Sequence, residues 1–325
     1  MVQPRLIIIC GPTCVEKTRV GIELAKKFNG EIVSADSQQV YKGLDIGTAK
    51  PTKENRKLIP HHLIDIVDPN KIFDAATFME MADAAIINIS SRGKQPFVVG
   101  GTGLYIKALC YGLSKAPGRD EAYRSSLMSL QKKYGTPHLY KMLQDRDADA
   151  ATSLKQNDTT RIVRALEVLH ITGRSIREFH NSHGFGQPKY ATLKIGLNID
   201  RKLLYERIDE RVDKMVAAGL IEEANELIQK YGADCQALKA VGYKEIVQSL
   251  PSGKRSKVVQ EEVVQEESGK RSKVVQEEIV QLIKRNTRRY AKRQLTWFKK
   301  DKEIEWYNPA EHDKIIDRAN RFLVV

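Results

Sequence analysis

The fold is set by residues 5–18, which read RLIIICGPTCVEKT. The apolar run Leu6 to Ile9 predicts a short buried strand over Arg5 to Cys10, and Gly11-Pro12 predicts a turn after it. A helix then begins near Lys17 and runs to Phe28. A strand, a loop and a helix in this order are typical of the start of an α/β domain.

Two further strands end in polar loops. Glu31 to Ala35 leads into Asp36-Ser37, and Pro96 to Val99 leads into Gly100-Gly101-Thr102-Gly103. Strands that alternate with helices predict a parallel sheet covered by helices on both faces. Ligands of such sheets bind beyond the carboxyl ends of the strands, so we expect these loops to form a site.

The strand pattern disappears over residues 117–190, where helical segments are predicted over 120–134, 136–146 and 159–171. We therefore predict an α/β core made of residues 1–116 and 191–325, with an all-helical insertion over 117–190. The remaining predictions in or beside the core are a returning strand over 190–199, one helix over 200–231 and a last helix over 277–300.

The loop from Gly11 to Thr18 resembles the phosphate-binding pattern G-x-x-x-x-G-K-[ST], in which backbone N–H groups and a lysine surround phosphate oxygens. The second glycine is replaced by Glu16, which adds a side chain and a negative charge close to the expected anion. Taken alone, the motif leaves open a strand-to-helix turn without phosphate binding.

The composition indicates a polyanionic partner. The formal net charge is +13, and between Lys284 and Lys302 nine Lys or Arg residues face one acid, Asp301. Such a run is often a solvated face, but its one-sidedness favours contact with nucleic acid.

No apolar stretch reaches the length of a membrane span and no secretory leader is apparent, so we expect a cytoplasmic protein without membrane contact. The four cysteines suggest neither a zinc module nor a disulfide framework.

Residues 34–51, beginning Ser-Ala-Asp-Ser-Gln-Gln-Val-Tyr, resemble the signature of bacterial tRNA dimethylallyltransferases. Five further segments resemble that family and occur in its order over nearly the whole chain: 61–65 (HHLID), 98–105 (VVGGTGLY), 161–168 (RIVRALEV), 240–245 (AVGYKE) and 290–298 (YAKRQLTWF).

The resemblance implies a P-loop NTPase-like core, an inserted helical subdomain that binds tRNA, and transfer of a dimethylallyl group from dimethylallyl diphosphate to N6 of the adenine 3′ of the anticodon (position 37) in tRNAs that read codons beginning with U. It implies that the loop binds the diphosphate of the donor rather than ATP, with Lys17 balancing leaving-group charge and Thr18 as a ligand of Mg²⁺. The implied diphosphate-binding residues are Gly11, Thr13, Cys14, Val15, Glu16, Lys17 and Thr18.

For catalysis, the resemblance implies that Asp36 is the general base and that the Thr102 hydroxyl bonds the bridging oxygen of the leaving group. A helix N-cap or a role near the metal remains open for Asp36, and a turn hydroxyl that caps the following helix remains open for Thr102. The implied tRNA contacts are Asp36, Ser37, Gln38, Gln39, Thr102, Arg124, Thr160, Arg161, Ile162, Val163 and Arg164.

Two alternatives remain at this stage. A tRNA-binding member of the family could be weakened or inactive because of Glu16, and a small-molecule kinase could use the same loop. We expect a monomer. Residues 252–278 hold two copies of SGKRSKVVQEE, sixteen residues apart, which favours a local duplication without assigned function.

Overall fold

The computed structural model describes residues 4–184, 186–250 and 269–324. The chain divides into two compact units, Tyr111–Pro188 and the residues on either side of that segment. The predicted duplication at 252–278 lies largely outside the described residues.

A parallel sheet forms the centre of the larger unit. Its strands are β1 (Arg5–Cys10), β2 (Gly30–Ser34), β3 (His61–His62), β4 (Gln95–Gly100), β5 (Ala191–Leu197) and β6 (Ile304–Tyr307). They lie in the order β3-β2-β4-β1-β5-β6, and every pair is parallel. Leu6 to Ile9 are fully buried, which explains why β1 reads as a continuous apolar run. The predicted α/β class is confirmed.

The helices are α1 (Lys17–Lys27), α2 (Lys53–Leu58), α3 (Ala75–Ser91), α4 (Gly103–Tyr111), α5 (Glu121–Tyr134), α6 (Thr136–Arg146), α7 (Ala148–Thr152), α8 (Thr159–Thr172), α9 (Ile176–His183), α10 (Arg201–Ala217), α11 (Leu220–Tyr231), α12 (Tyr243–Ser249), α13 (Gly269–Phe298) and α14 (His312–Val324). No helix among the described residues is long and apolar enough to cross a membrane.

The prediction of one helix over 200–231 is wrong. The helix breaks after Ala217, and Gly219 adopts a φ of 99° before α11 begins at Leu220. Glycine takes positive φ at little cost, so the chain can change direction here although both flanking helices have helical periodicity. The short strands β3 and β6 were also not predicted, because two to four residues carry too little periodicity.

Candidate active site

The phosphate-loop candidate connects β1 to α1. A Cβ at Gly11 would lie 2.4 Å from the carbonyl oxygen of Leu197, and Gly11 has a φ of 139°, so a side chain is excluded by both space and backbone angle. Cys14 and Glu16 also have positive φ, 65° and 61°. The loop is therefore a tightly wound turn in which two non-glycine residues adopt the left-handed conformation.

Gln294, on α13, braces this loop against the loop after β4. Its Oε1 accepts the Thr13 N–H at 3.0 Å, and its Nε2 donates to the Gly101 carbonyl oxygen at 2.9 Å. The Gln294 side chain is buried, and a Cβ at Gly101 would lie 2.4 Å from its Nε2. A buried amide with both ends hydrogen-bonded fixes the spacing of the two loops.

Lys17 is the first residue of α1, and its Nζ donates to the carbonyl oxygen of Pro12 at 2.5 Å. Burial lowers the pKa of Lys17 to about 8; the negative charge of Asp36 opposes this shift and the positive charge of Arg211 adds to it. The lysine is thus charged below about pH 8, and an arriving anion would raise its pKa further.

Asp36 and Thr102 are joined through the turn that follows β2. Asp36 Oδ1 accepts the N–H groups of Gln38 at 2.9 Å and Gln39 at 3.4 Å, which closes a tight turn. Thr102 Oγ1 accepts the Ser37 N–H at 3.0 Å. Because this bond uses the oxygen as an acceptor, the Thr102 O–H proton stays available to donate.

These loops open into one cavity of about 770 Å³. Seven lysine and arginine side chains line it, against three carboxylates. The basic residues are Lys17, Arg207, Arg211, Lys214, Lys239, Lys244 and Arg293, and the acids are Glu16, Asp36 and Glu210. A concave site with this excess of positive charge attracts polyanions.

Most of the predicted diphosphate and catalytic residues meet at this cavity. Its lining includes Thr13, Cys14, Glu16, Lys17, Thr18, Asp36, Ser37, Gln38 and Gln39. Gly11 and Val15 are buried in the loop, so only their backbone could serve a ligand. Thr102 is half-buried and is not part of the lining, but its Oγ1 contacts a lining residue by accepting the Ser37 N–H.

The sequence interpretation missed the cations that α10 contributes. Arg207, Arg211 and Lys214 recur at intervals of four and three residues, the spacing that puts side chains on one helical face. That spacing was a usable signal. Tyr290, on α13, also lines the cavity, and burial together with the negative charge of Asp36 raises its pKa.

Within the helical unit, two of the predicted tRNA-binding arginines hold a buried carboxylate. Arg124 Nη2 lies 2.8 Å from Glu167 Oε2, and Arg164 Nη1 lies 2.7 Å from the same oxygen. Burial favours a raised pKa for Glu167, but the bonds from Arg124 and Arg164 outweigh it and lower the pKa. These arginines therefore stabilise the junction of α5 and α8, since removing either would leave a buried charge short of partners.

The side chains of Ile162 and Val163, two of the predicted tRNA contacts, do not face solvent, so a contact of these residues with RNA would have to use their backbone. Both are buried in the apolar core of the helical unit with Leu127, Leu139 and Leu143. Thr160 and Arg161, on the same helix, are exposed and remain available for RNA. The side chains of five consecutive helical residues cannot all face one ligand, because successive side chains point about 100° apart.

Comparison with known proteins identifies the family. The sequence model of the family described as "IPP transferase" matches residues 39–301. The chain is 46% identical over 322 residues to "tRNA dimethylallyltransferase 2" of Syntrophus aciditrophicus, which covers 99% of this chain and 97% of that protein. It is 45% identical over 320 residues to "tRNA dimethylallyltransferase" of Geobacter metallireducens, covering 98% and 97%.

Solved structures agree. The full-length tRNA isopentenylpyrophosphate transferase from Bacillus halodurans matches with a TM-score of 0.67 and 39% identity over 99% of this chain and 96% of that one. A eukaryotic dimethylallyltransferase acting on tRNA matches with a TM-score of 0.77 and 27% identity, over 99% of this chain and 80% of that one. The chain therefore belongs to the IPP transferase family.

Proposed function

We propose that this protein transfers a dimethylallyl group from dimethylallyl diphosphate to N6 of an adenine in tRNA, at the position 3′ of the anticodon in tRNAs that read codons beginning with U. The observation that carries the proposal is the shared cavity, where a phosphate-binding loop and the Asp36 carboxylate meet in a chain of this family. An excess of cations suits both the diphosphate donor and the RNA acceptor.

In the proposed reaction, the bond between C1 of the prenyl group and the bridging oxygen breaks as the bond between N6 and C1 forms. Diphosphate leaves with the electron pair, and the amine loses one proton. Lys17, the loop N–H groups and the Thr102 O–H stabilise the leaving charge, and Asp36 accepts the proton. Gln294 fixes the distance between the loop that holds Lys17 and the loop that holds Thr102.

Mg²⁺ fits the same cavity through the Thr18 hydroxyl, which is an oxygen donor next to the lysine of the loop. Among the described residues no cluster of three or more His, Cys, Asp or Glu could hold a metal ion by itself. Mg²⁺ commonly uses few protein ligands and completes its shell with phosphate oxygens and water. The ion would therefore bind together with the donor, whose charge it would partly neutralise.

A transfer assay tests the proposal. Radiolabelled dimethylallyl diphosphate is incubated with the protein, Mg²⁺ and an anticodon stem-loop that carries adenine 3′ of the anticodon. We expect label on the RNA, and none on a matched stem-loop with guanine at that position, because guanine lacks the N6 amine. Absence of label on both RNAs would contradict the proposal.

The exposed face of α13 is the surface that we expect to contact RNA phosphates. Arg285, Arg289 and Lys292 are exposed and recur at intervals that place them along one stripe. Two other basic residues of this helix are already paired: Lys284 Nζ lies 2.7 Å from Asp213 and Arg288 Nη1 lies 2.7 Å from Asp209. The helix thus has one face of exposed basic residues, which can be tested for RNA contact, and one face of ion-paired basic residues, which can serve as a control.

We expect the double variant R285Q/R289Q to weaken tRNA binding about tenfold near physiological salt and to reduce the slope of log affinity against log salt by about 1 to 2. The matched control K284Q/R288Q removes the same charge from the ion-paired face and should change both quantities much less. Binding is measured by fluorescence anisotropy over about 50 to 300 mM salt. Equal losses in the two variants would indicate a general charge effect and contradict this assignment.

A further inference from the structure

Glu16 occupies the position where the phosphate-loop pattern has glycine, and it keeps the backbone conformation that glycine would take. Its φ and ψ are 61° and 26°, in the left-handed region. It directly precedes α1, yet its side chain makes no capping hydrogen bond to the helix. A glutamate in this conformation is strained. Any influence of Glu16 on the site must therefore come from the contacts of its side chain.

The Glu16 carboxylate is held by two arginines. Oε1 lies 2.5 Å from Arg207 Nη1, and Oε2 lies 2.6 Å from Arg19 Nε. Partial burial acts to raise the pKa of Glu16, but the bonds from Arg19 and Arg207 outweigh it and lower the pKa. The group is therefore a carboxylate at neutral pH.

The two arginines differ in their position. Arg19 is exposed, also pairs with Glu23 at 2.9 Å, and does not line the cavity. Arg207 comes from α10 and lines the cavity together with Glu16. Glu16 thus neutralises a cation that faces the same space as Lys17, and places its own negative charge at the rim of the phosphate loop.

We propose that Glu16 sets the affinity of this enzyme for its diphosphate donor, and for the diphosphate product, by pairing with Arg207 and screening that guanidinium from the bound anion. The inference rests on the proposed function, since it concerns the donor site. Glu16 acts through charge: the diphosphate meets a carboxylate that glycine would not supply, and an arginine whose Nη1 is already engaged. The loop remains competent but holds the anion more weakly than a loop with glycine.

The test measures binding of inorganic diphosphate, with Mg²⁺ and without RNA, by isothermal titration calorimetry. E16G should bind about tenfold more tightly than the parent, because one negative charge is removed and Arg207 is released. Glycine relieves the backbone strain, so we expect this variant to fold. E16Q keeps the side chain and the strain but removes the charge, and should gain most of the same affinity.

A substitution of Arg207 distinguishes the proposed charge effect of Glu16 on diphosphate affinity from a purely structural effect of Glu16. R207Q should change diphosphate affinity less than threefold or so in the parent, where Glu16 screens the guanidinium, but should cancel most of the gain in E16G. The difference between the two effects of R207Q measures the coupling between Glu16 and Arg207. The tighter binding of E16G should also weaken steeply as salt is raised, because it depends on an added net charge.

Three results would overturn the inference. Unchanged affinity in E16G would show that the carboxylate does not influence the anion. A gain in E16G without a gain in E16Q would assign the effect to the backbone, and weaker binding in both would show that Glu16 presents Arg207 to the ligand. Diphosphate binding to neither parent nor E16G would refute the donor site itself, a failure distinct from equal binding to both.

Discussion

Replacing Asp36 with asparagine should lower kcat for prenyl transfer by about 10² to 10⁴, the usual contribution of a positioned general base. Asparagine cannot accept the amine proton. Its side-chain oxygen can still accept the Gln38 and Gln39 N–H groups that close the turn, so the loop around Asp36 should keep its shape. Single-turnover transfer with saturating donor and RNA measures the chemical step directly.

The matched control is D36A, which removes the turn as well as the base. We expect D36N to retain the parent affinity for the stem-loop within about threefold, whereas D36A should lose RNA binding as well, because the N–H groups of Gln38 and Gln39 lose their acceptor. A near-parent rate in D36N would remove Asp36 from the role of base and leave it as a turn residue only.

The second large effect is expected at Lys17. K17M keeps the length and apolar contacts of the side chain but removes the charge to which we assign the stabilisation of the leaving diphosphate. We expect kcat/KM for the donor to fall by about 10² to 10³, as it does when one preorganised donor to a developing anion is lost. Steady-state transfer at varied donor concentration measures this ratio. A loss below about fivefold would show that the loop N–H groups and Mg²⁺ suffice.

K17R extends this prediction to pH. Since burial lowers the pKa of Lys17 to about 8, the free enzyme loses this positive charge above that pH, and a bound diphosphate favours the charged form. Donor affinity in the parent should therefore be highest at about pH 7.5, where the donor diphosphate is fully ionised and Lys17 is still charged, and should fall progressively above about pH 8. An arginine stays protonated throughout this range, so any binding by K17R should lack the decline. A parent affinity that is flat to about pH 9.5 would contradict a titrating Lys17.

Much of the fold could be predicted because it depends on short-range signals. The apolar runs of β1 and β4, the glycine-containing turns after them and the alternation of strands with helices indicated the parallel sheet, and the sheet is confirmed. The break at Gly219 was missed because one glycine in a long amphipathic pattern does not by itself end a helix. The buried positions of Ile162 and Val163 were missed because a family motif was read as a continuous contact.

The site was predicted in part for a similar reason. The phosphate loop, Asp36 and Thr102 follow neighbouring parallel strands, and the carboxyl ends of such strands lie at one edge of the sheet, so sequence order alone indicated their proximity. The brace by Gln294 carried no comparable signal, and the spacing of the α10 cations indicated a shared helical face but not that this face meets the loop after β1. Thr13 and Gln294 are 281 residues apart, and Arg207 and Glu16 are 191 apart.

The sequence by itself determined that this protein is an α/β enzyme of its family, with a loop that resembles the phosphate-binding pattern, a strand-end aspartate and a basic last helix, since each feature is a contiguous pattern of a few residues. Only the tertiary structure decided how Glu16 is accommodated, which basic residues of α13 are paired, and that Arg124 and Arg164 hold Glu167. The physical reason is that a charge acts through its surroundings: the same arginine is a free cation, an ion-pair partner or a structural clamp according to which distant side chains packing brings within about 3 Å of it.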